Sequence, residues 1–299
     1  MGAIGLGVGI GSGRTATARA VGFDLGADAL PAGVTLSRAT PAMCFDAAGM
    51  LAVRAANAAR FDHDPQTLAR RGLLVEAAAT NVLPWSSDLA GHWAGDMGGS
   101  GSAPIVTALD AVAPDGTNAA TRIDFVRGDG FSRIALSGVG TVPGMPMVFS
   151  VWLKAAGAAG ASIALRLESL DSGTLTLDGQ WRRYSLAARA DTDAASVQLL
   201  LWSQVAGAPT AAAVHAWGAQ LETGTIATSS IATAGSVGTR SADTVTLDWG
   251  GRGVADGPIT VRYAFDDGSS QTGLAMVSGG RMTVPTDLAR ARLLRVTRI

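Results

Sequence analysis

VHAWGAQLETGTIATSSIATAGSVGTRSAD, residues 214–243, is the stretch whose reading decides the fold. It opens as a strand: His215, Trp217, Ala219 and Leu221 fall on one side, Ala216, Gly218, Gln220 and Glu222 on the other. That is the period-two alternation of a half-buried strand. After Glu222 come Thr, Gly, Ala and Ser with no helical period, so the chain is predicted to leave the sheet and run over the surface.

Working outward, the same period recurs. Met147, Phe149, Val151 and Leu153 alternate with Val148, Ser150, Trp152 and Lys154; Ile163, Leu165 and Leu167 with Ala164, Arg166 and Glu168; Val197, Leu199 and Leu201 with Gln198, Leu200 and Trp202. Residues 181–186, WRRYSL, are strand-like again. Shorter strands are predicted at 34–38, 44–45, 51–53, 73–76, 105–109, 121–125 and 132–137, and past Asp243 at 245–249, 259–265, 282–284 and 293–299. Residues 95–104, GDMGGSGSAP, read as the most flexible part. Many short strands between Gly, Asp and Ser turns, with no amphipathic helix, predict an all-β sandwich that closes two sheets in jelly-roll manner. The expected divisions are a Gly-rich arm over 1–20, a β-hairpin region over 21–83 packing on the sandwich, the jelly roll over 84–245, and a small C-terminal β module over 246–299. About fifty residues are few for independent stability, so that module is expected to pack on the jelly roll or on a partner.

Composition narrows the function classes. Charged residues make up 16% of the 299, against a usual value of about a quarter, and 23 basic balance 24 acidic side chains. No basic field exists to attract nucleic acid or an anionic membrane. Lys154 is the only lysine; the other basic residues are arginines, whose planar fork matches carboxylates. Cys44 is the only cysteine, which excludes an intrachain disulfide and a multi-cysteine zinc site and suits a reducing compartment. The N-terminal MGAIGLGVGIGSG lacks a basic region and a cleavage site, and it is too short to span a membrane. Glycine alternating with Ile4, Leu6, Val8 and Ile10 fits either disorder or a docking arm that adds a strand to a neighbour.

The run WGAQLE, then Gly224, ATSSIAT and TRSAD at Thr239–Asp243, resembles the closing segment of a carbohydrate-binding-module-like jelly roll. That domain occurs in structural proteins of tailed bacteriophages, tail fibres and minor tail proteins. RFDHDP at Arg60–Pro65, GLLVEAAATNVL at Gly72–Leu83, Trp93 and APDGT at Ala113–Thr117 are similar to its upstream companions, so the resemblance spans roughly residues 34–245 in order. Two positions depart: Ser230 and Ala232 stand where the family usually carries Tyr and Pro. The resemblance implies a non-enzymatic virion component of the tail, assembled in the host cytoplasm. It would join other tail proteins through the N-terminal arm, form a homo-oligomer, and contact host-surface glycans. The competing classes are a virion connector or decoration protein that never binds sugar, and a polysaccharide depolymerase; no repeated coil of the parallel-β kind favours the latter.

For a sugar site, Trp152 and Trp202 stand out, because both lie opposite the large aliphatics of their strands. An outward indole can stack on a pyranose, with Arg166, Gln198 and Gln204 supplying hydrogen bonds to hydroxyls. The alternative is that these rings are covered by the N-terminal hairpins or by a neighbouring subunit. Trp181 and Trp217 are expected to serve the core. Asp62-His63-Asp64 before Pro65 reads as a turn or as part of a metal site whose other ligands come from elsewhere. No nucleophile elbow, zinc-protease helix or phosphate loop appears, and no cofactor is expected. Glu76 and Glu222 are expected to bind arginines or loop amides, not to form an acid/base pair.

Overall fold

A computed structural model describes residues 21–157 and 160–299. Strand dominates, and among the described residues the only α-helix is the single turn Leu89–His92. The arm expected at 1–20 lies outside the described residues.

The alternating patterns build a jelly-roll sandwich of two antiparallel sheets. The front sheet runs, in order, Arg182–Arg189, Pro146–Ala155, Ala211–Thr223, Ala120–Val126, Ser102–Ala111. The back sheet runs Leu170–Asp171, Ser162–Leu167, Ala194–Trp202, Phe131–Gly140, Ala94–Gly98. Phe149, Val151 and Leu153 from the front and Ile134, Leu165 and Leu199 from the back are fully buried between them. Each such side chain contributes about 1.5–3 kcal/mol, so this core needs no covalent staple.

The central strand Ala211–Thr223 departs from simple alternation. Its pairing with Pro146–Ala155 slips between Trp152↔Trp217 and Ser150↔Gln220. The extra residue is Gly218, at φ 64°, the left-handed region that a side chain rarely adopts. The bulge exchanges the faces: Val214, Ala216, Ala219 and Leu221 all point into the core, while Trp217 shares the outer face with Gln220. The expectation that Trp217 lies on the same side as Ala219 and Leu221 is therefore corrected.

Residues 95–104 contain more strand than expected. Ala94–Gly98 and Ser102–Ala111 are strands on either side of a tight turn, where Asp129 accepts hydrogen bonds from the Ser100 amide (2.6 Å) and hydroxyl (2.7 Å). The glycines mark close backbone approach there: a Cβ on Gly130 would sit 2.0 Å from the Gly98 carbonyl oxygen.

The remaining strands change the domain division. Ser270–Val277, Gly257–Phe265, Arg292–Arg298, Arg70–Leu74 and Phe61–His63 form one sheet, with Gly22–Asp24 also paired to Arg292–Arg298. Val34–Ser37, Thr244–Asp248 and Arg281–Thr283 form another. Phe23, Leu73, Trp249, Tyr263, Phe265 and Val296 pack between these sheets as one buried cluster. The other strands of the hairpin region and the C-terminal module thus form a single second sandwich, while the hairpin Ala42–Phe45/Leu51–Arg54 packs on the jelly roll as expected, and the boundary expected at 245–246 falls inside the strand Thr244–Asp248. The jelly roll is inserted into that sandwich. The chain enters and leaves it side by side, with Ala79–Asn81 paired antiparallel to Gly238–Arg240.

Candidate ligand-binding cleft

The predicted sugar-stacking residues do not form one platform. Trp152 belongs to the front sheet and Trp202 to the back sheet, so the shared core separates them. Residue parity gives the face relative to its own sheet, not which sheet that is. Trp152 does point outward, but the hairpin Ala42–Phe45/Leu51–Arg54 lies over it. Its indole is 7% exposed, meets Phe45 edge-on at 5.5 Å, and donates from Nε1 to Ser230 Oγ at 3.2 Å. Trp217 is buried beside it, under the same cover.

Trp202 is half-buried, with the Arg166 guanidinium 4.5 Å above its ring. Arg166 in turn pairs with Asp171 at 2.9 Å. Gln198, directly across from Arg166, is buried and accepts from Arg133 at 3.3 Å. Gln204 is exposed, past the end of the strand. Val205 packs with Trp202 over Leu200 and Ala164. Two of the three polar groups proposed for sugar hydroxyls, Arg166 and Gln198, are thus already engaged by other side chains.

The large concavity lies elsewhere, between the jelly roll and the second sandwich, with a volume of about 950 Å³. Trp181 and Arg183, two residues apart on one side of the front sheet's edge, form one wall. The loop 225–230 forms a second wall, and Arg290 and Arg292 of the second sandwich face them. Trp181 is half-buried, donates from Nε1 to Val112 O at 3.0 Å, and has Lys154 Nζ 4.9 Å from its ring centroid. It packs, partly buried, against the cluster of Trp152 and Trp217 and also lines the cleft.

A buried ion network anchors the loop. Arg60 donates to Glu76 Oε2 (2.7 Å), Asp243 Oδ2 (2.5 Å) and Ser229 Oγ (2.7 Å). Arg38 donates to Asp243 Oδ1 at 2.9 Å, and Arg240 lies 3.3 Å from Glu76. Glu76 also accepts from the amide and hydroxyl of Ser229, at 2.8 and 2.6 Å. Burial pushes the Glu76 carboxyl up, but Arg60, Arg240 and the Ser229 donors outweigh it and hold it at about 2. Glu222 accepts from the Thr228 amide and hydroxyl at 2.8 and 2.6 Å. Both glutamates therefore serve arginines or loop donors, as the sequence indicates. Asp62 takes the Phe45 amide (2.8 Å) and Arg292 (2.5 Å), while Asp64 takes the amides of Gln66 and Thr67, as a turn residue does.

General-acid chemistry needs a carboxyl held high enough to carry a proton near neutrality. The carboxylates bordering this cleft are engaged by cations or amides; Glu76 is held at about 2, and Asp64 is lowered chiefly by the Thr67 amide. The wall presents an indole, guanidinium groups and loop backbone. Ser230 and Ala232, the two departures from the family pattern, border a separate cavity of about 290 Å³ next to Arg240. The cleft was missed in sequence because its walls come from segments a hundred residues apart; the one local signal was Trp181 and Arg183 on the same side of a strand.

No family model matches this sequence, and no curated protein matches it. Among solved structures, it is similar to the enzymatically active domain of tailspike protein 4 of bacteriophage CBA120, at 10% identity and a TM-score of 0.32, over 45% of this chain and 20% of that one. It is similar to TmCBM61, solved in complex with beta-1,4-galactotriose, at 15% identity and a TM-score of 0.34, over 48% of this chain and 99% of that one. The CBM22-1 xylan-binding domain of Paenibacillus barcinonensis Xyn10C is similar at 15% identity and a TM-score of 0.34, over 51% and 99%. The chain spans about a fifth of the tailspike domain's length.

Proposed function

We propose that this protein is a non-enzymatic component of a tailed-phage tail, a fibre or tip protein, that holds a host-surface saccharide in the cleft beside Trp181. The observation that carries the reading is the cleft itself: about 950 Å³, open between two units, with an indole and arginines on its walls and its carboxylates already engaged. That volume lies within the range of small-ligand sites, and an aromatic edge among fixed polar groups suits a sugar, apolar on its ring faces and polar at its rim. The tail assignment is supported by the motif resemblance over residues 34–245. A glycan array probed with the full-length protein and with Trp181→Ala tests it. The wild type binds host-derived saccharides, and the variant, with an unchanged circular dichroism spectrum, loses about 1–2 kcal/mol of affinity. No glycan bound by the wild type ends the reading, as does absence of the protein from purified particles.

A second reading, a virion connector without sugar binding, is favoured by the strand Ser270–Val277. It lies at the edge of its sheet and exposes Leu274 by 85% and Met276 by 61%. An apolar open edge is suited to pairing with another chain in a homo-oligomer or with a neighbouring tail protein. Light scattering of wild type and Leu274→Lys separates this from a monomeric adhesin.

A further inference from the structure

Resting on that reading of the cleft, we propose that the saccharide it takes is acidic, and that Arg183 receives its carboxylate. Arginines border the cleft from both units, and all but one are already neutralised. Arg71 pairs with Asp266 at 2.7 Å, Arg182 with Asp178 at 2.8 Å, Arg290 with Asp267 at 2.6 Å, and Arg292 with Asp62 at 2.5 Å. Arg183 has no carboxylate within 4.0 Å among the described residues. Its guanidinium donates to two neutral oxygens, the Thr228 carbonyl and Ser150 Oγ, the latter at 2.9 Å, and its Nε is buried without an acceptor.

The neighbouring acids attract this charge without contacting the guanidinium. Glu222 is taken by Gln220 and Thr228, and Glu76 by Arg60 and Ser229. A half-buried guanidinium whose direct partners are all neutral can gain charge-assisted bonds from an incoming carboxylate, and those are the strong kind. Burial lowers Arg183 to about 10, against the pull of Glu222 and Glu76, so it remains a cation at neutral pH. The placement of the aromatic group fits the same ligand. Trp181 immediately precedes the strand Arg182–Arg189 and stands two residues from Arg183, so their backbones are at most about 7 Å apart. A pyranose seated at the indole therefore brings an acidic substituent on its ring within reach of the guanidinium.

The test is an array of bacterial polysaccharides, each in native and carboxyl-reduced form, followed by calorimetry on whatever binds. The proteins are the full-length wild type, Arg183→Gln, Arg183→Lys, and Arg122→Gln as a control from outside the cleft. The expected result is binding to uronate- or other carboxylate-bearing glycans that falls roughly 10–100-fold on carboxyl reduction. Arg183→Gln falls by a similar factor and no longer distinguishes the native from the reduced form; Arg183→Lys retains part of that distinction, and Arg122→Gln retains all of it. Binding to neutral glycans, or binding unaffected by carboxyl reduction, overturns the acidic assignment and leaves the cleft as a sugar site. No binding to any glycan overturns both. If Arg183→Gln fails to fold, the ratio between native and reduced glycan on wild type, with Arg183→Lys, still decides.

Discussion

Replacing Glu76 by Gln removes one charge from the centre of the ion network while keeping its shape. Glu76 is 7% exposed and receives Arg60 and both Ser229 donors. Its ordinary value of 4.5 is lowered to about 2 in the fold, which corresponds to about 3 kcal/mol of stability at neutral pH. Because the folded value lies below the unfolded one, that contribution is complete above about pH 5. It is lost as the pH falls from there towards 2. Truncating one member of a buried pair costs about 3–5 kcal/mol, and Arg60 keeps Asp243, so the lower end is expected. Urea denaturation of wild type and Glu76→Gln, repeated from pH 7 to pH 2.5, gives the comparison. The variant should be about 3 kcal/mol less stable at pH 7, with the gap closing to under about 1 kcal/mol near pH 2.5. Other carboxylates titrate in both proteins, so the difference isolates Glu76. A gap that stays constant with pH refutes the assignment of the network's stability to this carboxylate.

Trp152→Ala, which removes a ring buried under the Ala42–Phe45 hairpin, should cost about 3–5 kcal/mol of stability, read by thermal or urea unfolding. Trp202→Ala should cost less, about 1–2 kcal/mol because the ring is half-buried, and should leave glycan affinity unchanged on the array. Gly218→Ala should destabilise by about 1–2 kcal/mol, since a Cβ there combines a positive φ with a contact of 3.1 Å to Trp152 Cδ1. Wild-type stability in that variant would show that the bulge is not required.

The sandwich core was legible because large aliphatic or aromatic side chains recur at every second position over Met147–Leu153 and Val197–Leu201, which fixes the inward face. Three features broke the reading. Gly218 inserts one residue into the central strand, and a bulge reverses parity without changing composition. The second sandwich was invisible as a unit because its two halves are separated in sequence by the whole jelly roll, and periodicity carries no information about pairing at that distance. Ser270–Val277 was also missed: Leu274 and Met276 face outward, so its apolar residues do not mark the buried side.

The motifs that carry the family resemblance occupy one physical place. Arg60 and Asp62 come from RFDHDP, Glu76 and Asn81 from GLLVEAAATNVL, Gln220 and Glu222 from WGAQLE, Thr228 and Ser229 from ATSSIAT, and Arg240 and Asp243 from TRSAD. In the structure Arg60, Glu76, Ser229 and Asp243 form one bonded set with Arg240 3.3 Å from Glu76, Gln220 and Thr228 bond Glu222, and Asp62 takes Arg292 instead. Asn81 alone donates to the Ala219 and Ile231 carbonyls and accepts from the Leu83 and Leu221 amides. Buried polar groups of this kind must be mutually satisfied or they destabilise the fold, so any change at one demands a change at its partners. That constraint ties these residues to the insertion of the jelly roll and to the position of the 225–230 loop, whatever ligand the cleft takes. Trp181 and Arg183 lie outside every one of the motifs, at the start of the edge strand Arg182–Arg189, which Trp181 immediately precedes. The stem therefore fixes the width of the cleft and the edge strand sets its chemistry, and related chains could keep the first while exchanging the second.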